Sequence, residues 1–263
     1  CYNEEETVEP FYREIQKLES FFIQEEIRIE LIYVDDGSRD QTLVRIKELR
    51  MEDSRIRAIS FSRNFGKEAA IYAGLEHAKG DLVVLMDVDL QDPPHLLPEM
   101  YRHIKEGFDS VATRRVSRKG EPPIRSFFAR AFYKIMHKIS KTEIVDGARD
   151  YRLMTKQVAD AILSLGEYNR FTKGIFGWVG YKTKWLEYEN IERTRGETKW
   201  SFWKLFLYSI DGMIAFSTVP LAISSFFGIV FCFLAFLLII VTIVRKAVYG
   251  DTVSGWPSLV CII

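Results

Sequence analysis

Asp87 and Asp89 stand two residues apart at the end of an apolar run of strand length, followed by Gln91 and then by Pro93 and Pro94. Alternate residues of an extended segment point the same way, so Asp87, Asp89 and Gln91 are expected to converge on one cation. Hard oxygen ligands suit Mg²⁺ or Mn²⁺, and Mg²⁺ completes its shell with water and phosphate oxygens. The expectation is a metal-held diphosphate at the end of a buried strand. A second acidic cluster, Asp35-Asp36-Gly37-Ser38, closes the β-rich run 29–34, and Tyr2-Asn3-Glu4 offers a third polar cluster. Lys67 follows the turn Ser62-Arg63-Asn64-Phe65-Gly66. At a helix N-terminus it can reach a phosphate, or it is a plain surface lysine.

The surrounding pattern indicates how these groups are positioned. Val8, Phe11, Ile15, Leu18 and Phe22 recur at helical spacing and predict one amphipathic helix. Strands are expected at 29–34, 57–61, 82–87 and around 110–113, with helices at about 42–50, from 67 to 78 and beyond Pro98. Apolar strands alternating with helices imply an α/β architecture with a mainly parallel sheet covered on both faces. Ligands in such sheets bind outside the carboxyl ends of the strands, where Asp35-Asp36 and Asp87-x-Asp89 fall. Tyr2-Asn3-Glu4 joins that edge if a strand precedes it. Asp146-Gly147-Ala148-Arg149-Asp150-Tyr151-Arg152 reads as an unusually polar connector between two helical stretches.

Lys+Arg and Asp+Glu both total 36, so the formal net charge is zero. A nucleic-acid binder normally shows a basic excess or stripe, so nucleic acid is not an expected partner. Arg114, Arg115, Arg118, Lys119, Arg125 and Arg130 form a basic segment that reads as a solvated face, with an anionic lipid or phosphate partner as the alternative. The three cysteines, Cys1, Cys232 and Cys261, make no disulfide framework and no metal-ligand spacing, which fits a reducing compartment for the soluble part.

Charge is distributed unevenly. Residues 212–244 contain no Asp, Glu, Lys or Arg. As a helix, 219–244 alone would be about 39 Å long, more than the ~30 Å hydrocarbon core of a bilayer. The chain opens on Cys1 and ends inside a second apolar stretch, so both ends are expected to be cut. The expected organisation is a catalytic domain over 1–198 lacking its first strand and an interfacial amphipathic helix over 199–212. A first transmembrane helix over 213–246, a loop over 247–255 and the start of a second span over 256–263 follow. Trp200 and Trp203 beside Lys199 and Lys204 suit a helix lying in the membrane interface.

Five motifs occur in order: Tyr2-Asn3-Glu4, Asp35-Asp36-Gly37-Ser38-x-Asp40-x-Thr42, Asp87-x-Asp89-x-Gln91, Asp150-Tyr151-Arg152-Leu153 and Arg195-Gly196-Glu197-Thr198-Lys199-Trp200. Together with the apolar tail they resemble the family 2 glycosyltransferases that load sugars onto polyprenyl phosphates, the dolichol-phosphate mannose synthases and GtrB-like undecaprenyl-phosphate glycosyltransferases. The resemblance implies a GT-A fold, a divalent cation (Mg²⁺ or Mn²⁺), a UDP- or GDP-sugar donor and a polyprenyl phosphate acceptor. It also implies a homo-oligomer, often a tetramer, in the cell membrane with its catalytic domain in the cytosol. Carried onto this sequence, Tyr2, Glu4 and Asp36 line the nucleoside pocket with Asp35 beside them, and Lys67 is a further candidate there. Asp87, Asp89 and Gln91 hold the metal and the diphosphate. Arg152, Arg195 and Lys199 engage acceptor or donor phosphates.

The implied reaction is an inverting displacement in which the lipid phosphate attacks and the nucleoside diphosphate leaves. A phosphate monoester is largely ionised at neutral pH, so Asp150 is either a general base or a residue that orients Arg152 or a sugar hydroxyl. Two other functions fit less well. A processive polysaccharide synthase would carry a QxxRW motif, which the sequence lacks. A catalytically silent membrane scaffold or sugar-nucleotide sensor would have no need of intact acidic clusters.

Overall fold

The computed structural model describes residues 1–116, 134–136, 138–140, 142, 145–167, 170–189 and 202–250, with the backbone alone over 202–208. Arg195 and Lys199, the basic positions 118–130, the end of the 247–255 loop and the second apolar stretch lie outside the described residues. The chain divides into two compact units, Cys1–Phe216 and Ser217–Ile263.

The first unit begins with α1 (Val8–Gln16) and α2 (Glu19–Gln24). Val8, Phe11, Tyr12 and Ile15 form the buried stripe of α1, as a 3.6-residue period requires. The single helix expected through Phe22 is two helices, because Leu18 leaves helical angles (φ −90°, ψ 3°). Next come β1 (Leu31–Asp35), α3 (Thr42–Glu52), β2 (Ile56–Ser60), α4 (Lys67–His77) and β3 (Leu82–Leu85). Then α5 (Leu97–Lys105), β4 (Ser110–Arg115), β5 (Ala148–Thr155), α6 (Lys156–Ser164), α7 (Thr172–Trp178), β6 (Thr183–Tyr188) and α8 (Phe202–Phe216) complete the unit.

β1 and β2 pair in parallel with Asp35 opposite Ser60, and α3 crosses between them. The remaining strands form one sheet in the order β3-β5-β4-β6, in which β4 and β6 are parallel and β5 runs against both of its neighbours. One apolar core gathers Val8, Tyr33, Ile46, Met100, Val111 and Tyr151, and a second gathers Leu75, Val83, Met154, Ile162 and Phe176.

Two elements correct the expectations. The polar connector containing Asp146–Arg152 is in fact largely β5, a central strand. Charged residues are depleted from strands and seldom buried without partners, so Arg149-Asp150-Tyr151-Arg152 gave no strand signal until the partners were in place. Second, β3 stops at Leu85, where its register with β5 ends opposite Arg152. Past that point the Asp92 carboxylate captures the Asp87 N–H (3.2 Å) and Leu90 takes φ +60°. Asp87, Asp89 and Gln91 therefore lie on a folded loop, and their directions come from its contacts instead of a strand alternation.

The second unit contains α9 (Val219–Tyr249), 31 residues that include an 18-residue stretch of mean hydropathy 3.1, with no buried residue. Among the described residues it is the one helix long and apolar enough to cross a membrane.

Candidate active site

The site is built from the carboxyl ends of β1 and β3, the start of α4, the start of β5 and the end of β6. At the end of β1, buried Asp35 accepts from the Ser38 N–H (3.1 Å) and the Ser60 hydroxyl (3.1 Å), tying β1 to β2. Gly37 makes the turn possible: its φ is +67°, and a Cβ there would stand 2.4 Å from the Arg63 carbonyl carbon. The first residues run alongside, with the Asp36 N–H donating to the Cys1 carbonyl (2.8 Å) and the Asn3 N–H to the Ser38 hydroxyl (2.9 Å). Half-buried Tyr2 and Glu4 thereby sit next to Asp35 and Asp36, and the Glu4 N–H donates to Thr42 Oγ1 (2.7 Å).

Asp36 has a mechanical duty. Its carboxylate accepts from the N–H groups of Phe65 (2.7 Å) and Gly66 (3.0 Å) and from Asn64 Nδ2 (2.9 Å). These bonds fasten the turn before α4 to the end of β1, and the next residue is Lys67. The Lys67 ammonium lies 2.8 Å from Asp87 Oδ2 and 2.6 Å from Asp150 Oδ2. The Lys67 and Asp87 side chains are 38% and 35% exposed against 17% for Asp150, so a ligand can reach the first two. Burial works to raise the Asp150 carboxyl, but Lys67, with Lys173 and Arg149, holds it well below the usual carboxylate range. Asp87 is likewise lowered against its desolvation by Lys67, and the lysine itself is raised by the two carboxylates despite burial.

β5 supplies the rest. Arg152 is 3% exposed, its guanidinium carbon 3.3 Å from the centroid of the Phe176 ring, and its buried Nε has no hydrogen-bond partner. Burial pushes its guanidinium down to about 9, with Asp150 acting in the opposite direction. Arg152 is thus buried on β5 against Phe176 of the second core. Arg149 takes the other direction: its Nε donates to Asp92 Oδ1 (3.2 Å) and its Nη2 to Gln91 Oε1 (3.3 Å). Tyr188 on β6 also donates to Asp92 Oδ1 (3.4 Å), and Tyr151 donates to the Pro93 carbonyl (3.1 Å). Burial raises the Asp92 carboxyl to about 6, against the pull of Arg149.

The structure brings together Lys67, Asp87 and Asp150, and on the adjoining loop Asp89 and Gln91, whose backbone N–H donates to Asp89 Oδ1 (3.1 Å). Asp35 and Asp36 adjoin them through the α4 turn. Sequence reasoning missed Asp92, Arg149, Tyr188 and Lys173. A signal existed for the first alone: Asp92 continues the acidic loop.

Among the described residues no group of three His, Cys, Asp or Glu side chains could cage a metal. The donors present are two carboxylates and one amide oxygen. That set fits a hard cation taking one or two carboxylates and completing its shell with substrate phosphate and water. Gln91 Oε1 has a second lone pair beside the one engaged by Arg149.

A family model described as "Glycosyl transferase family 2" matches residues 1–163. The putative glycosyltransferase CsbB of Bacillus subtilis is 43% identical over 231 residues, 88% of this chain and 70% of that protein. A prophage bactoprenol glucosyl transferase homolog of Escherichia coli is 38% identical over 258 residues, 98% of this chain and 83% of that protein. Among solved structures, mannosyl-3-phosphoglycerate synthase from Rubrobacter xylanophilus superposes with a TM-score of 0.52 at 16% identity, covering 82% of this chain and 70% of that one. That likeness shows the fold alone, a GT-A-like α/β architecture.

Proposed function

Because the chain belongs to glycosyl transferase family 2, we propose that it transfers a sugar from a UDP- or GDP-sugar to the phosphate of a membrane polyprenyl phosphate, inverting the anomeric carbon. The observation that carries this reading is the Lys67 ammonium bridging Asp87 and Asp150 (2.8 and 2.6 Å). It joins the loop suited to the leaving diphosphate to the carboxylate suited to the opposite side of the sugar. The bactoprenol-directed name of a relative aligned over 98% of the chain, and the apolar α9, support a lipid acceptor.

In this reading Tyr2, Glu4, Asp35 and Asp36 border the nucleoside. Asp87, Asp89 and Gln91 would hold Mg²⁺ or Mn²⁺, which supplies Lewis-acid neutralisation of the departing diphosphate. Lys67 stands where it can exchange Asp87 for a phosphate oxygen while keeping Asp150. A lipid phosphate is largely ionised at neutral pH and needs little help losing a proton. A carboxylate already paired with a lysine at 2.6 Å is a weak base, so Asp150 orients Lys67 and the sugar instead. Arg152 places positive charge near Asp150. Arg195 and Lys199 remain proposed acceptor-phosphate ligands, with the catalytic domain facing the cytosol, where nucleotide sugars are found.

The test is incubation of membranes carrying the protein with radiolabelled UDP- and GDP-sugars, undecaprenyl phosphate and Mg²⁺ or Mn²⁺, followed by lipid extraction. One donor is expected to label the lipid, and Asp89→Ala to abolish the label. No labelled lipid across the panel would sink the proposal.

A further inference from the structure

The loop that carries Asp87, Asp89 and Gln91 has left the β-ladder, so something else must set its shape. Asp92 is central to it. Its side chain is 1% exposed; one oxygen takes the Asp87 N–H (3.2 Å) and the other takes Arg149 Nε (3.2 Å) and the Tyr188 hydroxyl (3.4 Å). The same guanidinium reaches Gln91 Oε1 with Nη2 (3.3 Å). Arg149 is itself 18% exposed, and both of these donors are spent on the loop. A bulge interrupts the β4–β5 register between Ala112 and Arg114, at the level of Arg149, and bulges re-aim side chains. Lys67 meanwhile holds Asp87 from α4. The loop is gripped from three elements, β5 through Arg149, β6 through Tyr188 and α4 through Lys67.

We infer that Arg149 is a positioning residue: through Asp92 and Gln91 it holds the Asp87–Asp89 loop in the shape that receives a divalent cation together with a nucleoside diphosphate. The inference rests on the proposed donor site, and it assigns Arg149 no contact with the phosphates. A planar guanidinium can serve a carboxylate and an amide at once, whereas an ammonium is a single point charge. Outer-sphere partners of this kind typically change metal affinity by about 10–100-fold when removed.

Calorimetry on the full chain in detergent tests this, with UDP and GDP as probes, each with and without Mn²⁺. For wild type, Mn²⁺ is expected to tighten binding of one nucleotide. In Arg149→Met that tightening should fall at least about tenfold while metal-free nucleotide affinity stays within about twofold. Arg149→Lys should restore part of it, because a lysine can still pair with Asp92. Asp92→Asn, which preserves shape, should reproduce the Arg149→Met loss and guards against a folding defect in that variant. Unchanged Mn²⁺ tightening in both Arg149→Met and Asp92→Asn would overturn the inference. So would an equal loss with and without Mn²⁺, which would mark direct phosphate contact. If wild type itself gained nothing from Mn²⁺, the donor-site reading would fall and this inference with it; the inference failing alone shows only in the variants.

Discussion

Lys67 decides the charge balance of the site. Two carboxylates brought within reach of one another repel unless a cation intervenes, and the ammonium between Asp87 and Asp150 supplies that cation. In the proposed donor site the same contact would make Lys67 a competitor for a metal at Asp87. Lys67→Met is therefore expected to strengthen Mn²⁺ binding to the nucleotide-free protein, read by electron paramagnetic resonance, while kcat drops by about 10²-fold, the usual scale for losing one charge-stabilising donor. Weaker Mn²⁺ binding in the variant would contradict the bridging role. Arg152 poses the opposite case, a buried guanidinium stacked on Phe176 with an unpaired Nε. A buried charge without a full set of partners is costly to keep, and Lys67 remains to pair Asp150 when Arg152 is replaced. Arg152→Met should raise the Tm and lower the transfer rate together, and a lowered Tm would show that the charge is better compensated than its contacts suggest.

At the scale of elements, turns and strand ends carry the function, and their strain and ion pairs are measurable. Gly37 turns the chain at the end of β1 at φ +67°, with the Arg63 backbone packed close by. Gly37→Ala should cost more than the ~1–2 kcal/mol of a left-handed alanine, because the backbone must also move; denaturant titration reads it. At the far end of α3, Asp53 accepts from Arg55 on the approach to β2 and from the Tyr12 hydroxyl on α1 (3.0 Å). Hydrogen bonds from Arg55 outweigh partial burial and hold its carboxyl down at about 2. A carboxyl lowered on folding adds stability above its unfolded pKa, near 3.9, and loses it as pH falls through the folded value. The Tm gap between wild type and Asp53→Asn should thus be widest near neutrality and close between about pH 4 and pH 2. A gap that stays constant would rule out that ion pair as its source.

At the scale of the whole molecule, the proposed site residues fall in the first unit, and α9 carries no charge before Arg245. An 18-residue stretch of α9 with mean hydropathy 3.1, in a helix with no buried residue, supports membrane association. An arginine at the centre of a spanning helix costs about 3 kcal/mol on insertion scales. Leu234→Arg should accordingly move a measurable share of the chain into the carbonate-extractable fraction. Full retention in the pellet would indicate that α9 is not the anchor.

The apolar period of α1, the β-rich runs of β1 and β2, the acidic clusters and the uncharged tail were legible in the sequence. Each is a local pattern, set by burial along a single element. Asp87, Asp89, Asp150 and Lys67 stood out as candidates for the same reason: their types and neighbours restrict what they can do. What the sequence alone could not convey was that β5 is a strand. Arg149, Asp150 and Arg152 become tolerable there only once Asp92, Lys67 and Phe176 arrive from distant positions. Nor could it show Lys67 standing between two carboxylates, or Asp36 securing the turn that puts it there. Residue types settle which reactions are available, because reactivity belongs to the group. Tertiary structure settles which partner each charge has, because electrostatic pairing depends on distance through space rather than separation along the chain.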